Sequence, residues 1–340
     1  MQTKLLLIYT GGTIGMINDP KSGSLKPFSL EDLISHVPEI KLFNYTLDSY
    51  TFDPLIDSSD IQPEMWIKMS QIIKEKYEQY DGFIILHGTD TMSFSASALS
   101  FMLNNLNKPV VLTGSQLPIG KLRTDGKENL ITAIEIAASK TNGNATIPEV
   151  CVVFENRVFR GNRTTKFNSE EFNAFYSFNY PELAKIGIQI HYNKNQIAEN
   201  SDDNFFINTK LDNNIALLKL FPGISQNVVD SILNINNLRG IIIETYGAGN
   251  APTASWFINS ISKAIEKGLI VLNVTQCKAG SVEMGLYETS LELLNKGVVS
   301  GHDITIEAAV TKFMHVLGQS NNIEEVKKLL NDSLKGEITK

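Results

Sequence analysis

The stretch KLLLIYTGGTIGM, residues 4–16, limits what this chain can fold into more than any other. Lys4 to Tyr9 is apolar without polar alternation, the pattern of a strand buried on both faces of a parallel sheet. It breaks at Thr10-Gly11-Gly12-Thr13, where two glycines allow a sharp turn and a close approach to the backbone. Two hydroxyls thus stand at the carboxyl end of the first strand, where open α/β sheets bind ligands. An isolated Thr-Gly-Gly-Thr would be read as a tight turn whose threonine bonds its own backbone.

The theme recurs. Gly82 to His87 is a second apolar run, and it breaks into Gly88-Thr89-Asp90-Thr91; Val110 to Leu112 runs into Thr113-Gly114-Ser115-Gln116. Helical patterns follow over Ser93–Leu103 and from Gly126 to about Ala138, and Glu149–Glu155 is a further strand. Strand, polar turn and helix in succession predict an α/β fold with a parallel sheet. Between these units, Asn18–Pro27 is polar and bears glycine and proline, as a mobile surface lid would. A short helix capped by Ser29 is expected over Leu30–His36. Residues 54–60, PLIDSSD, end a strand. Ser58, Ser59 and Asp60 are placed either to cap a helix starting near Pro63 or, beside free backbone N–H groups, to hold a carboxylate.

At 340 residues the chain exceeds the size at which one core usually stops growing, so two domains are expected. The expectation is a larger N-terminal domain over 1–192, a polar linker rich in Asn and Asp over 193–214, and a smaller C-terminal α/β domain over 215–340. Strands from Ile215, Arg239 and Leu269 and an amphipathic helix over Ile304–Leu317 belong to the latter. A net charge of −7 without a basic patch argues against nucleic acid or an anionic membrane as partner. Residues 1–9 lack a signal-peptide pattern and no apolar run is long enough to span a bilayer, which predicts a cytoplasmic protein. Cys151 and Cys277 lie far apart and suggest no disulfide framework, and the five histidines lack metal-ligand spacing. With neither a Gly-x-Gly-x-x-Gly fingerprint nor a Walker lysine, a nucleotide cofactor is the weaker reading, and none is expected.

Two threonine-bearing strand ends, a neighbouring carboxylate and a lysine are the parts of an activated hydroxyl nucleophile. A threonine hydroxyl is barely acidic and needs a base in reach, which a Thr–Lys–Asp relay can supply. Arg157, Arg160, Arg163 and Lys166 cluster after another strand end. Such clusters are usually solvated faces, but this position lets at least one cation reach the same crevice.

Taken together, YTGGTIGM, LHGTDTM, LTGSQ and GNRTTK resemble the motifs of bacterial L-asparaginases. PLIDSSD, TYGAGNAP, Gln276-Cys277 and DITIEAAVTKF extend the likeness over nearly the whole chain except 193–214, and Ser58-Ser59 makes it most similar to the type I, cytoplasmic branch. The resemblance implies a two-domain asparaginase-like fold and hydrolysis of L-asparagine to L-aspartate and ammonia through a threonine β-acyl intermediate. By the same resemblance, Thr13 matches the nucleophile, Thr89 and Asp90 the second threonine and its carboxylate, and Lys166 the lysine completing the relay. Ser58 and Ser59 match the positions holding the α-carboxylate and amino end of the substrate, with Asp90 pairing the ammonium. Asn250, in the Gly-x-Gly-Asn turn, matches a residue that reaches a neighbouring subunit's site, so a homo-oligomer is expected, a dimer or a dimer of dimers.

Two positions depart from the pattern. The lid lacks a tyrosine, with Leu25 where one is expected, and Glu244 replaces an arginine that some type I relatives use in a regulatory site. Two other readings compete. One is the asparaginase-like, ammonia-supplying component of a tRNA-dependent amidotransferase, which normally has an additional N-terminal domain, whereas this chain begins at the first strand. The other is a silent amino-acid sensor, against which the retention of Thr13, Thr89, Asp90 and Lys166 speaks.

Overall fold

The apolar runs become neighbouring parallel strands in the computed structural model, which describes residues 2–18, 25–27, 33, 35–285 and 288–339. Two compact units result, Met1–Thr209 and Lys210–Lys340. In the first, the strands Tyr45–Thr51, Thr3–Tyr9, Gly82–Leu86, Val110–Thr113 and Val150–Phe154 lie side by side in that order, all parallel. Arg157–Arg160, Ala184–Ile186 and Ile190–Tyr192 then extend the sheet antiparallel to eight strands. Every residue of the strands at 82–86, 110–113 and 150–154 is buried, as strands covered on both faces require. Tyr45–Thr51 is different. It forms the sheet edge, its last four residues are exposed, and its mixed polarity conceals it from a periodicity argument.

Along the parallel strands the chain visits second, first, third, fourth and fifth positions. The order therefore reverses between Thr3–Tyr9 and Gly82–Leu86. That reversal sends the following connections to opposite faces and opens a crevice beyond the carboxyl ends of these two strands. Helix Gly126–Ala138 packs Leu130, Ala133, Ile134 and Ala137 into one cluster with Leu5, Leu7, Ile84 and Val111. Helix Met92–Met102 is buried from Ser95 to Met102, which its serines and alanines permit.

The serines of PLIDSSD do not cap the helix that follows. That helix, Pro63–Lys76, begins with proline in its first turn, and Gln62 before it makes no side-chain cap. Gln62 holds the N-cap position, so Ser58 and Ser59 stand too far upstream to reach the free N–H groups of that helix. Ser58–Asp60 instead form a separate 3-10 turn, capped by Asp57 through the backbone N–H of Ser59. In the region read as a lid, Met16–Asn18 pairs antiparallel with Leu25–Pro27, and 19–24 lie outside the described residues. Ser29 and most of the helix expected over 30–36 also lie outside them.

Of the polar stretch 193–214, Phe206–Ile207 pairs with Leu103–Asn104 and Phe205 stacks on Tyr77 at 3.8 Å between ring centroids, while the units part after Thr209. In the second unit, Ile215–Lys219, Gly240–Thr245, Ile270–Thr275 and Val299–Ser300 form a parallel sheet. One core cluster joins Ile241, Ile243 and Val271 to Val229 and Phe257 of the helices Gln226–Leu233 and Ser255–Glu266. A second joins Ile242 and Leu272 to Phe313 and Val326 of Ile306–Gln319 and Ile323–Asn331. The fold is thus α/β in two parts, the larger one N-terminal, as the sequence implies.

Candidate active site

Backbone contacts at the strand reversal draw the polar turns together. Thr10, buried at the end of the first strand, donates both its N–H and its hydroxyl to the carbonyl of Leu86, at 3.0 and 2.9 Å. Its own carbonyl accepts from the N–H of Ile56 at 2.9 Å, which seats the Ser58 turn beside the Thr13 turn. A Cβ on Gly12 would lie 2.5 Å from Gly88 Cα, and one on Gly88 would lie 2.5 Å from Ser58 Oγ. No real side chain tolerates such separations, so these glycines let three loops share one small volume. The hydroxyl of Thr91 then donates to the carbonyl of Ser58 at 2.6 Å. Thr13 opens a 3-10 turn over Thr13–Gly15 and is half-buried.

Lys166 completes the set. Its Nζ donates to Thr89 Oγ1 and to Asp90 Oδ1, both at 2.8 Å. The lysine side chain is 16% exposed and the aspartate 65%, so the pair joins a sheltered cation to an open carboxylate. Lys166 ends the strand Thr165–Lys166, which pairs with Phe175–Tyr176. The three arginines of the same cluster are engaged elsewhere. Arg157 faces Glu182 at 3.6 Å, Arg160 binds Glu149 at 2.7 Å, and buried Arg163 lies over the ring of Tyr180.

The two serines behave differently. Ser58 is buried, whereas Ser59 is exposed and donates its N–H and its hydroxyl to Asp57 Oδ1, at 2.9 and 2.8 Å. These two bonds hold the Asp57 carboxyl below the usual carboxylate range. Asn250 belongs to the second unit, where its backbone closes a turn by exchanging hydrogen bonds with Tyr246 at 2.8 and 2.9 Å. Glu244, where some relatives carry the arginine, lies 3.3 Å from Lys219 Nζ.

Two residues near the threonines carry no role in the sequence reading. His87 is buried, and burial lowers its pKa to about 4. Its Nδ1 faces the carbonyl of Gly88 at 2.7 Å and must donate; Nε2 therefore accepts from Ser95 Oγ at 2.9 Å, and Ser95 accepts from Trp66 Nε1. The imidazole is neutral and props the loop before Thr89. Gln116 is the other. Its Oε1 faces Thr89 Oγ1 at 3.4 Å, and its signal in the sequence was only a third strand end of small polar residues.

Among the described residues, no group of three or more His, Cys, Asp or Glu side chains is placed to hold a metal ion. No helix among them is long and apolar enough to cross a membrane. Chemically, the crevice offers the Thr89 hydroxyl, bonded to an amine that also meets a carboxylate, with the turn that Thr13 opens beside it. These are the elements of acyl transfer by a hydroxyl nucleophile.

A family model described as "Asparaginase, N-terminal" matches residues 4–198, and one described as "Glutaminase/Asparaginase C-terminal domain" matches 214–330. L-asparaginase 1 of Escherichia coli is 42% identical over 345 aligned residues, spanning all of this chain and 99% of that protein. A glutamyl-tRNA(Gln) amidotransferase component of Pyrococcus abyssi is 35% identical over 99% of this chain but only 77% of its own length. The crystal structure of L-asparaginase I from Vibrio cholerae superposes with a TM-score of 0.90 at 39% identity, each chain covered completely.

Proposed function

The chain belongs to the asparaginase family, and from that premise we infer that it is an L-asparaginase, converting L-asparagine and water to L-aspartate and ammonia. The observation that carries the assignment into chemistry is the bonding of Lys166 to both Thr89 and Asp90 at the reversal of strand order. Thr13 is the proposed nucleophile. Its oxygen forms an ester to the side-chain carbonyl carbon of asparagine as the C–N bond breaks and ammonia leaves with the added proton. Water then attacks that ester, aspartate departs, and the hydroxyl of Thr13 is restored. Lys166, Thr89 and Asp90 move and hold protons in both halves, and burial of the lysine stem keeps its amine aimed at Thr89.

Substrate is held at its other end. Ser58 and Ser59 take the α-carboxylate and the amino end, and Asp90 pairs with the ammonium. The bond from Ser59 to Asp57 occupies its hydroxyl proton, which leaves the lone pairs of Ser59 free to accept from an α-ammonium group. The enzyme is proposed to act in the cytoplasm as a dimer or a dimer of dimers, with Asn250 of one subunit completing the site of another. The higher identity to L-asparaginase 1, 42% against 35% for the amidotransferase component, favours the free amino acid as substrate.

Ammonia release from asparagine by the purified chain, without tRNA, tests the reading. Thr13→Ala should lower it on the order of a millionfold, as removal of a covalent nucleophile does. A Thr13→Ala protein keeping more than about a hundredth of the wild-type rate would assign the nucleophile elsewhere. Mixing inactive Thr13→Ala and Asn250→Ala chains should restore part of the activity if sites are shared between subunits.

A further inference from the structure

The turn that carries Asn250 is hydrogen-bonded at every carbonyl from Tyr246 to Asn250. The carbonyl of Tyr246 accepts the N–H groups of Gly249 and Asn250, at 3.0 and 2.8 Å, and that of Asn250 accepts the N–H of Tyr246 at 2.9 Å. The three carbonyls between them are bonded from outside the turn. Thr275 Oγ1 donates to Gly247 at 2.6 Å, the N–H of Glu283 to Ala248 at 3.0 Å, and Asn273 Nδ2 to Gly249 at 3.2 Å. A surface turn can leave such carbonyls to water. This one is tied down by the protein.

Two of the three donors are side chains of one strand. Asn273 and Thr275 stand two apart on Ile270–Thr275, so both project from the same face near its carboxyl end. Asn273 is completely buried in a strand otherwise made of Ile, Val, Leu and Thr, where an amide is costly unless it is hydrogen-bonded. Its Oδ1 accepts the hydroxyl of Thr245 at 2.6 Å, and its NH2 meets the carbonyl of Gly249, which only accepts. The Thr275 hydroxyl accepts the N–H of Cys277 at 3.0 Å and directs its own proton to Gly247. The third donor is anchored as well. Val282, beside Glu283, donates its N–H to His302 at 2.9 Å and accepts the Ser300 hydroxyl at 3.0 Å.

We propose that Asn273 and Thr275 are positioning residues for Asn250, holding its turn in one conformation before substrate arrives. The proposal rests on the reading that Asn250 of one subunit completes the site of another. Fixing the backbone of a turn costs conformational entropy. Tethers made on folding meet that cost once, so it is not subtracted again from substrate binding or turnover.

Thr275→Val keeps the shape of the side chain and removes the donor. Its kcat/KM for asparagine should fall about tenfold, part of the roughly hundredfold that a 1 Å misplacement can cost. Thr275→Ser restores the hydroxyl and should stay within about twofold of wild type. Asn273→Leu, which breaks the other side-chain tether, should act in the same direction as Thr275→Val. The decisive readout is relief in trans. When Thr275→Val chains exchange subunits with an excess of inactive Thr13→Ala chains, each keeps its own nucleophile and receives an intact turn from its partner. Ammonia release per Thr275→Val chain should then return to within about twofold of wild type. A merely structural defect would stay with the chain that carries it. If Thr275→Val keeps its kcat/KM within about twofold of wild type, or if its loss is not relieved while that of Asn250→Ala is, the proposal fails alone. If wild type releases no ammonia, or Asn250→Ala is not relieved either, the reading of the shared site fails and takes the proposal with it.

Discussion

Two lysine–carboxylate pairs, one in each unit, have nearly the same geometry and opposite surroundings. Lys166 meets Asp90 at 2.8 Å in the crevice of the first unit, and Lys312 meets Glu337 at 2.7 Å in the core of the second. Lys312 and Glu337 are completely buried. The lysine also donates to the carbonyls of Leu330 and Asp332, and the carboxylate also accepts the N–H groups of Leu334 and Lys335. Every proton of that ammonium has an acceptor within the protein, so the pair can only hold the C-terminal segment against the helix Ile306–Gln319. At Lys166 one of the acceptors is a hydroxyl that can give its own proton away, and the carboxylate is open to solvent. Burial makes the one pair a clasp, and the hydroxyl suits the other to the proposed reaction.

The sharpest separation is kinetic. Lys166→Met should reduce kcat about 10²- to 10⁴-fold, the range of a lost acid–base group, with aspartate binding weakened far less. Its melting temperature should stay near that of wild type. Steady-state ammonia release together with calorimetric titration of aspartate measures both, and equal losses in binding and turnover would contradict the division of roles.

Lys312→Met should do the reverse. Removing one partner leaves the Glu337 carboxylate buried and uncompensated, at a cost of about 3–5 kcal/mol. Urea denaturation should show that loss, while kcat per folded molecule is unchanged. The double variant Lys312→Met, Glu337→Leu removes both charges and should recover most of the stability, because a buried pair contributes little over a well-packed apolar substitute.

Acid should affect both units through histidines that lie outside the two pairs. Burial depresses the pKa of His87 from 6.5 to about 4, and burial together with the nearby Lys335 does the same to His315. The native state resists protonating them, whereas the unfolded chain binds a proton on each below about pH 6.5. Stability is therefore present above that pH and is lost as the pH falls through 6.5 toward about 4, by up to about 3 kcal/mol for each residue. Unfolding free energies measured at intervals from pH 7 to 4 should decline over this window, and His87→Gln should flatten part of the decline.

How much of this was legible before folding depends on how local the signal was. Thr13 and Thr89 stood out because each ends a continuous apolar run, and a strand end is a short-range pattern. Lys166 could be placed among four cations but not chosen by charge alone, since the choice depends on Glu149, Glu182 and the Tyr180 ring taking the arginines. Gln116 was visible only as a member of LTGSQ, because its place beside Thr89 depends on the carbonyl of Glu171, 55 residues away. The serines of PLIDSSD suggested the wrong local structure: their capping propensity is real, but Asp57 caps their own turn and proline opens the next helix. The edge strand Tyr45–Thr51 was missed because one flank faces solvent and its residues need not be apolar.

The smallest effect concerns the open pair's share in stability. Asp90 is 65% exposed, so its attraction to Lys166 acts through water and is offset by the entropy of holding a long side chain still. Exposed pairs of this kind contribute about 0–1 kcal/mol, which for a unit of this size moves the melting temperature by no more than about 2–4 °C. Asp90→Ala should therefore melt almost as wild type does, although it loses turnover and, with the ammonium partner gone, affinity for aspartate. Lys312→Met, made at an ion pair of almost equal length, should lower the melting temperature several times as far. If Asp90→Ala instead destabilised the protein as strongly as Lys312→Met, the crevice pair would be bearing on the fold, and the distinction between clasp and reactive site would not hold. Differential scanning calorimetry of both variants at about pH 8, well above the free histidine pKa of 6.5, leaves His87 and His315 essentially neutral in both folded and unfolded states and makes the comparison without interference from the histidines.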